Sequence, residues 1–223
     1  MLVRLLGALG MIGSCTAAPY PLHLHTNTAP LSATVTNPGP REIEPGVFQL
    51  GGVRLDQVKR TIEFSGAVNM TQGPVEYLVV HQTGKVHESV LRTMVEPFHV
   101  HLAALLLQRK TPSINTNTGL AAREIVGPGA QIVIRYESPD GAKVLIGEEL
   151  IFNLRRKSAM TSGPWTYNGS RVIEGTFLAQ RDGSIASVIT DPDALLNSLR
   201  PGRDNDDIWQ VNTNCVPPVN TPV

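Results

Sequence analysis

Glycine and proline break this chain at short intervals, and that punctuation limits what it can fold into. Together they supply 37 of its 223 residues, 20 Gly and 17 Pro. Such a density favours a turn-rich, mainly β protein over a helix bundle. Between the breaks lie short runs that are β-branched or partly alternating. VFQLGGVRLD, TIEFSGAVN and VEYLVVHQ, from Val47 onward, read as strands. Thr83-Gly84 separates VEYLVVHQ from KVHESVLRT and predicts a hairpin. Pro139-Asp140-Gly141 predicts a second between AQIVIRYES and AKVLIGEELIFNLRR, and Asp182-Gly183 a third between FLAQ and SIASVIT.

Two segments carry helix signals. Pro97 suits a first helical turn, and in the following FHVHLAALLLQ the side chains of Phe98, Leu102, Leu105 and Leu106 share one face, the expected core face. DPDALLNSL has Asp191 as a cap, Pro192 in its first turn and Pro201 beyond its end. On this reading Asp191 and Asp193 serve the cap and the helix dipole rather than a paired-carboxylate site. The expected fold is therefore a single α+β domain, mainly antiparallel β, with two short helices packed against it.

The N-terminus reads as an address. Arg4 is followed by an uncharged apolar run from Leu5 to Ile12, too short to span a bilayer. The run ends in Ile12-Gly13-Ser14-Cys15, an aliphatic residue and two small ones before a cysteine. That pattern resembles the bacterial lipobox and makes Cys15 the candidate lipidation site. An ordinary export signal cut after Ala17 is the other reading. Residues 1–15 are thus taken as a signal with a lipobox-like end, 16–46 as a flexible Pro- and Thr-rich tether, and 47–223 as the folded domain. His23 and His25 fall in the tether, where a solvated His-x-His pair needs no metal to explain it. Cys15 and Cys215 are the two cysteines. Lipidation consumes Cys15 and cleavage removes it, so packing rather than a disulfide framework must hold the domain. The expected location is the bacterial cell envelope, with the membrane as partner through the lipid anchor, or else a periplasmic or secreted protein.

Net charge is zero with 17% charged residues, which gives no electrostatic reason to expect nucleic acid. No nucleophile elbow, phosphate loop or C-x-x-C is present. The acidic run 204–207 fails the EF-hand spacing, with Trp209 and Cys215 at the sixth and twelfth positions.

Candidate chemistry concentrates in VHESVLRTMVEPFHVHLAALLLQRK, residues 86–110, which carries three of the six histidines. On the expected hairpin, His87 and Glu88 point to opposite faces. His99 and His101 lie about 200° apart around a helix, so the two do not converge on one ion. The candidate polar cluster is His87, Glu88, Ser89 and His101, with His101 rather than His99 beside the 87–89 strand. No cofactor and no tightly held metal are expected. Trp165 and Tyr167 in GPWTYNGSR alternate on what reads as an exposed strand, a candidate ligand or partner surface.

Taken in order, VNMTQGPVEYLVVHQTGKVHESVL, EPFHVHLAALLL, GPWTYNGSR, FLAQRDGSIASVITDPDALLN and PGRDNDDIW resemble the bacterial YdjY-domain proteins over residues 47–218. The resemblance implies an exported or lipid-anchored protein and assigns no activity. It covers His87-Glu88-Ser89 and His101, but not His81 or His99. Ferredoxin-like labels carried by some relatives do not transfer, because the cysteines they require are missing. The expected function is a cell-envelope binding or assembly module for an envelope protein or small ligand. A metal-dependent or acid–base enzyme using the His/Glu cluster is the alternative.

Overall fold

The computed structural model describes residues 1–5, 39–107 and 125–223. Cys15, the rest of the lipobox, and His23 and His25 of the tether lie outside the described residues. In chain order the strands are β1 (Leu2–Leu5), β2 (Arg41–Glu44), β3 (Val47–Leu50), β4 (Val53–Asp56), β5 (Thr61–Phe64), β6 (Ala67–Val68), β7 (Tyr77–His81) and β8 (Ser89–Thr93). Helix α1 (Pro97–Leu107) follows, then β9 (Gly129–Ser138), β10 (Gly141–Ile146), β11 (Ile151–Asn153), β12 (Ser158–Ala159), β13 (Trp165–Tyr167), β14 (Val172–Ile173) and β15 (Thr176–Phe177). Helix α2 (Leu178–Asp182), β16 (Ser184–Ser187), β17 (Leu196–Ser198) and β18 (Trp209–Val211) follow as the last elements among the described residues. Among the described residues, the expected mainly antiparallel α+β architecture with two short helices is what forms.

Thirteen strands form one sheet in the order β2-β3-β4-β5-β1-β9-β13-β17-β16-β7-β8-β6, with β10 also on β9. Every pairing in it is antiparallel except β7–β8 and β16–β17. β11, β12 and β18 form a second, three-stranded sheet, and β14 and β15 a small ribbon. Val53, Leu55, Ile62, Leu78, Leu91, Ile132, Ile134 and Trp165 are among the buried side chains of one continuous core. The chain's last residues close the β6 edge, where Gly66 and Val223 exchange two backbone hydrogen bonds. β1 occupies residues read as part of the signal, and β2 lies inside the stretch read as a tether.

The hairpin at Pro139-Asp140 forms as expected, with Ser138 opposite Gly141. Three other expectations are corrected. VFQLGGVRLD is two strands, not one, folded at Gly51-Gly52, with Gly51 at φ +53°. The turn at Thr83-Gly84 does not pair its flanks as a hairpin, because β7 and β8 run parallel. Gly84 is used instead for close approach: a side chain there would strike the Asp182 carbonyl at 2.6 Å and the Gly183 backbone at 3.1 Å. A 3-10 turn at Val86–Glu88 then carries the chain back, and Asn69 Nδ2 fastens it by donating to the carbonyls of Val86 and Ser89. At Asp182-Gly183, FLAQ is not a strand. Residues 178–182 form α2, which Gly183 terminates in the left-handed conformation at φ +70°.

DPDALLNSL is likewise no helix. Asp191 accepts from the Tyr77 hydroxyl (2.8 Å) and from the backbone N–H of Asp193 (2.9 Å). Asn197 donates to the Asp191 carbonyl and accepts from its N–H. These bonds draw 196–198 into the main sheet as β17, between β13 and β16. Helix α1 forms where expected but turns a different face inward. Val100, Ala103, Ala104 and Leu107 are buried against the sheet beside β4 and β5, whereas Phe98 is 44% exposed and Leu102, Leu105 and Leu106 are half-buried. The two alanines allow the helix axis to approach the strands closely, so small residues rather than leucines mark the contact. Trp165 and Tyr167 are 0% and 2% exposed, which removes them as a surface. β13 lies between β9 and β17 in the interior of the sheet and is buried on both faces.

Candidate binding site at the carboxyl ends of a parallel strand pair

Parallel β7 and β8 end together, at His81 and Thr93. The residues just beyond them, Gln82 and Thr83 on one side and Met94, Val95 and Glu96 on the other, lead into the turn at Gly84 and into α1. Carboxyl ends of adjacent parallel strands are a recurrent place for ligands, because side chains from two connections meet there on a rigid base.

His81 is buried, and two contacts fix its ring. Nδ1 lies 2.7 Å from Thr83 Oγ1 and 3.3 Å from the Thr83 backbone N–H, which donates to it. With Nδ1 accepting, the proton belongs on Nε2, which faces Glu96 Oε1 at 4.0 Å. Gln180 of α2 holds the Glu96 carboxylate through its amide N–H, and its amide oxygen accepts from the Phe98 backbone N–H at 3.0 Å. One glutamine thus ties the acid to the first turn of α1 and α1 to α2. Met94 and Phe98, two residues before and two after Glu96 in the chain, are 71% and 44% exposed. A shallow cavity of about 140 Å³ adjoins it, lined by Gln82, Arg92, Thr93 and Met94 together with residues 65–67.

One turn further along α1, His101 lies against Tyr167 and Phe177. Its Nδ1 is 2.7 Å from the Tyr167 hydroxyl, and its ring centroid is 4.8 Å from that of Phe177. Burial pulls the His101 imidazole from 6.5 down to about 4 and pushes the Tyr167 phenol up. Both groups are therefore neutral at pH 7, with the phenol donating to Nδ1. Phe98 meets Phe177 edge-on at 6.2 Å, which links the two histidine sites through an aromatic contact. His99 is buried on another side of α1, against the Gly51 turn.

The expected cluster does not assemble in this form. His87 is 77% exposed and faces Glu88 at 3.9 Å; Lys85 reaches Glu88 at 3.4 Å and Glu76 at 3.5 Å. This is a string of charges on and beside the 3-10 turn, with His87 turned to solvent and the two glutamates partly buried. Ser89 is buried and donates to the Leu91 carbonyl. His101 bonds Tyr167 rather than the 87–89 strand. Among the described residues, no three His, Cys, Asp or Glu side chains are grouped to hold a metal ion, and no helix is long and apolar enough to cross a membrane.

Glu96 and Gln180 were not singled out by the sequence. Glu96 directly precedes the helix-starting Pro97, which is the one local signal that could have found it. Gln180 sits in a segment that reads as a strand. No protein-family model, curated protein or solved structure matches this chain.

Proposed function

We propose that this chain is a binding module of the bacterial cell envelope, of the YdjY-like kind it resembles, held to the membrane through a lipidated Cys15. Its ligand-contacting site is the His81–Glu96–Gln180 cluster with Phe98 and Met94. One observation carries the reading: an imidazole N–H and a carboxylate are set side by side, on a connection that also carries the exposed apolar side chains of Met94 and Phe98. A paired donor and acceptor beside apolar surface suits an amide- or peptide-bearing ligand.

Photo-crosslinking tests the site. A benzophenone side chain at Phe98 is expected to capture a discrete species in intact envelopes, and Glu96→Gln is expected to abolish that product. The same probe at Val58, 83% exposed in the turn beside the opposite end of α1, serves as control. Identical products from positions 98 and 58 would sink the proposal. Cys15→Ser tests the address: the variant is expected to leave the membrane fraction, and membrane retention with no acyl mass on the native chain refutes the anchor.

A second reading has its own observation. Thr83 hydroxyl, His81 imidazole and Glu96 carboxylate form a hydroxyl–base–acid chain of the kind that activates a nucleophile. Hydrolysis of an activated ester by the wild-type chain, lost in both His81→Asn and Thr83→Val, would replace the binding reading with this one.

A further inference from the structure

Arg92 is a half-buried cation with no acid beside it. Arg54, Arg135, Arg171, Arg181 and Arg200 each meet a carboxylate. Arg92 instead donates to two neutral amide oxygens, Asn220 Oδ1 at 2.6 Å and Asn69 Oδ1 at 3.4 Å, one from each terminal nitrogen. Among the described residues it makes no ion pair. Its two partners are themselves fixed. Asn69 donates through Nδ2 to the carbonyls of Val86 and Ser89. Asn220 is held at φ +68° with its N–H on the Val68 carbonyl. The guanidinium is thus oriented in advance, and three of its five N–H donors are left over.

Arg92 lines the cavity of about 140 Å³ beside the ends of β7 and β8, with Ser65, Gln82 and Met94 among its neighbours there. No aspartate or glutamate lines this cavity. The side chains of Ser65 and Gln82 make no hydrogen bond among the described residues, so a hydroxyl and a carboxamide are open to a ligand beside the cation. Met94, 71% exposed, adds an apolar wall. A guanidinium with spare N–H donors matches the two oxygens of a carboxylate, and the single charges cancel. A phosphate monoester carries nearly two charges at neutral pH and would leave part of its charge uncancelled.

We propose that this cavity is a carboxylate-binding site, and that the chain's ligand presents its acid group to Arg92 there. Gln82 donates its amide N–H to the same group, and Met94 covers the carbon atoms next to it. The site stands on Arg92 and its surroundings, and rests on the binding reading above only in taking the ligand to be peptide-like. The His81–Glu96 pair and Arg92 then read two parts of one ligand, an amide and an acid, from the ends of the same two strands.

In the test, the full chain is titrated with N-acetylalanine in a buffer free of carboxylate and phosphate, and the arginine side-chain N–H signals are followed by NMR. Saturable binding that shifts the Arg92 Nε–H signal is expected. N-acetylalaninamide, which has the same shape without the charge, and the Arg92→Gln variant are each expected to give binding weaker by about tenfold or more. Gln82→Ala removes a side chain with no hydrogen bond of its own and is expected to keep the fold while weakening binding severalfold. It decides the matter where Arg92→Gln does not fold. The proposal is overturned by no saturable binding, by equal binding of the amide, or by inorganic phosphate that binds more tightly than N-acetylalanine. Wild-type affinity in a folded Arg92→Gln, or in Gln82→Ala where Arg92→Gln does not fold, overturns it as well. A chain that binds N-acetylalanine but captures nothing at Phe98 keeps the carboxylate site and loses the binding reading; one that captures at Phe98 but ignores N-acetylalanine does the reverse.

Discussion

Arg200→Ala is expected to be among the most damaging single substitutions in this protein. The guanidinium is buried and bound at every side. It pairs with the buried Glu148 carboxylate and donates to the carbonyls of Thr161 (3.1 Å), Gly163 and Pro164 (3.1 Å). It also lies 5.1 Å from the Trp165 ring centroid. One side chain therefore neutralises a buried acid and pins the 161–164 loop over the core. Removing one partner of a buried pair costs about 3–5 kcal/mol, because the other charge is left uncompensated. Against a typical total stability of roughly 5–15 kcal/mol, that is a large share.

The pH dependence has a defined sign. Burial already raises the Glu148 pKa above its ordinary 4.5, and loss of the cation raises it further. The folded variant then binds the proton that the unfolded chain gives up, so its stability is highest at low pH and falls as pH rises above about 4.5. Glu148→Met with Arg200→Met removes both charges, and is expected to recover the part of the loss that comes from the uncompensated acid, while the carbonyls of Thr161, Gly163 and Pro164 stay without their donor. Urea unfolding followed by the fluorescence of Trp165 and Trp209 reads all three. A cost below about 1 kcal/mol for Arg200→Ala, or a double variant as unstable as the single, would refute this account.

Acidification is expected to unfold the wild-type chain more readily than His101→Gln. Because burial holds His101 near 4 rather than 6.5, the unfolded chain takes the proton first, so the contribution is present above pH 6.5 and lost as pH falls towards 4. The full value is about 3 kcal/mol, trimmed to about 2 by solvent at the ring edge; equal pH slopes for the two proteins would contradict it. Gly127→Ala is expected to cost about 3 kcal/mol or more, since the new methyl would lie 1.9 Å from the Tyr167 carbonyl oxygen. Gly141→Ala, with open space around it but φ +107°, is expected to cost about 1 kcal/mol, so thermal melts that rank the two the other way would refute the close-packing argument.

By itself the sequence determined the fold class, the Pro139-Asp140 hairpin and the existence of α1. Each follows from short-range chemistry: dense Gly and Pro, a turn dipeptide between alternating runs, and proline at a helix start. Tertiary structure decided the rest. Thr83-Gly84 and Asp182-Gly183 both look like hairpin turns, yet their glycines pack backbone to backbone, and neither closes a hairpin. DPDALLNSL has helix signals, but Tyr77 and Asn197 engage Asp191 and β17 completes the sheet instead. The inward face of α1 could not be read from apolar spacing, because apolar residues ring the helix and the small Ala103 and Ala104 set the contact. The candidate site shows the same division. His81 was visible as a histidine near a turn, but a parallel pairing brings it to Glu96, and a helix that reads as a strand supplies Gln180. Local patterns fix local conformation. Which distant segments share a hydrogen bond depends on strand order and direction, and those are chosen by the burial of the whole sheet rather than by any one stretch of sequence.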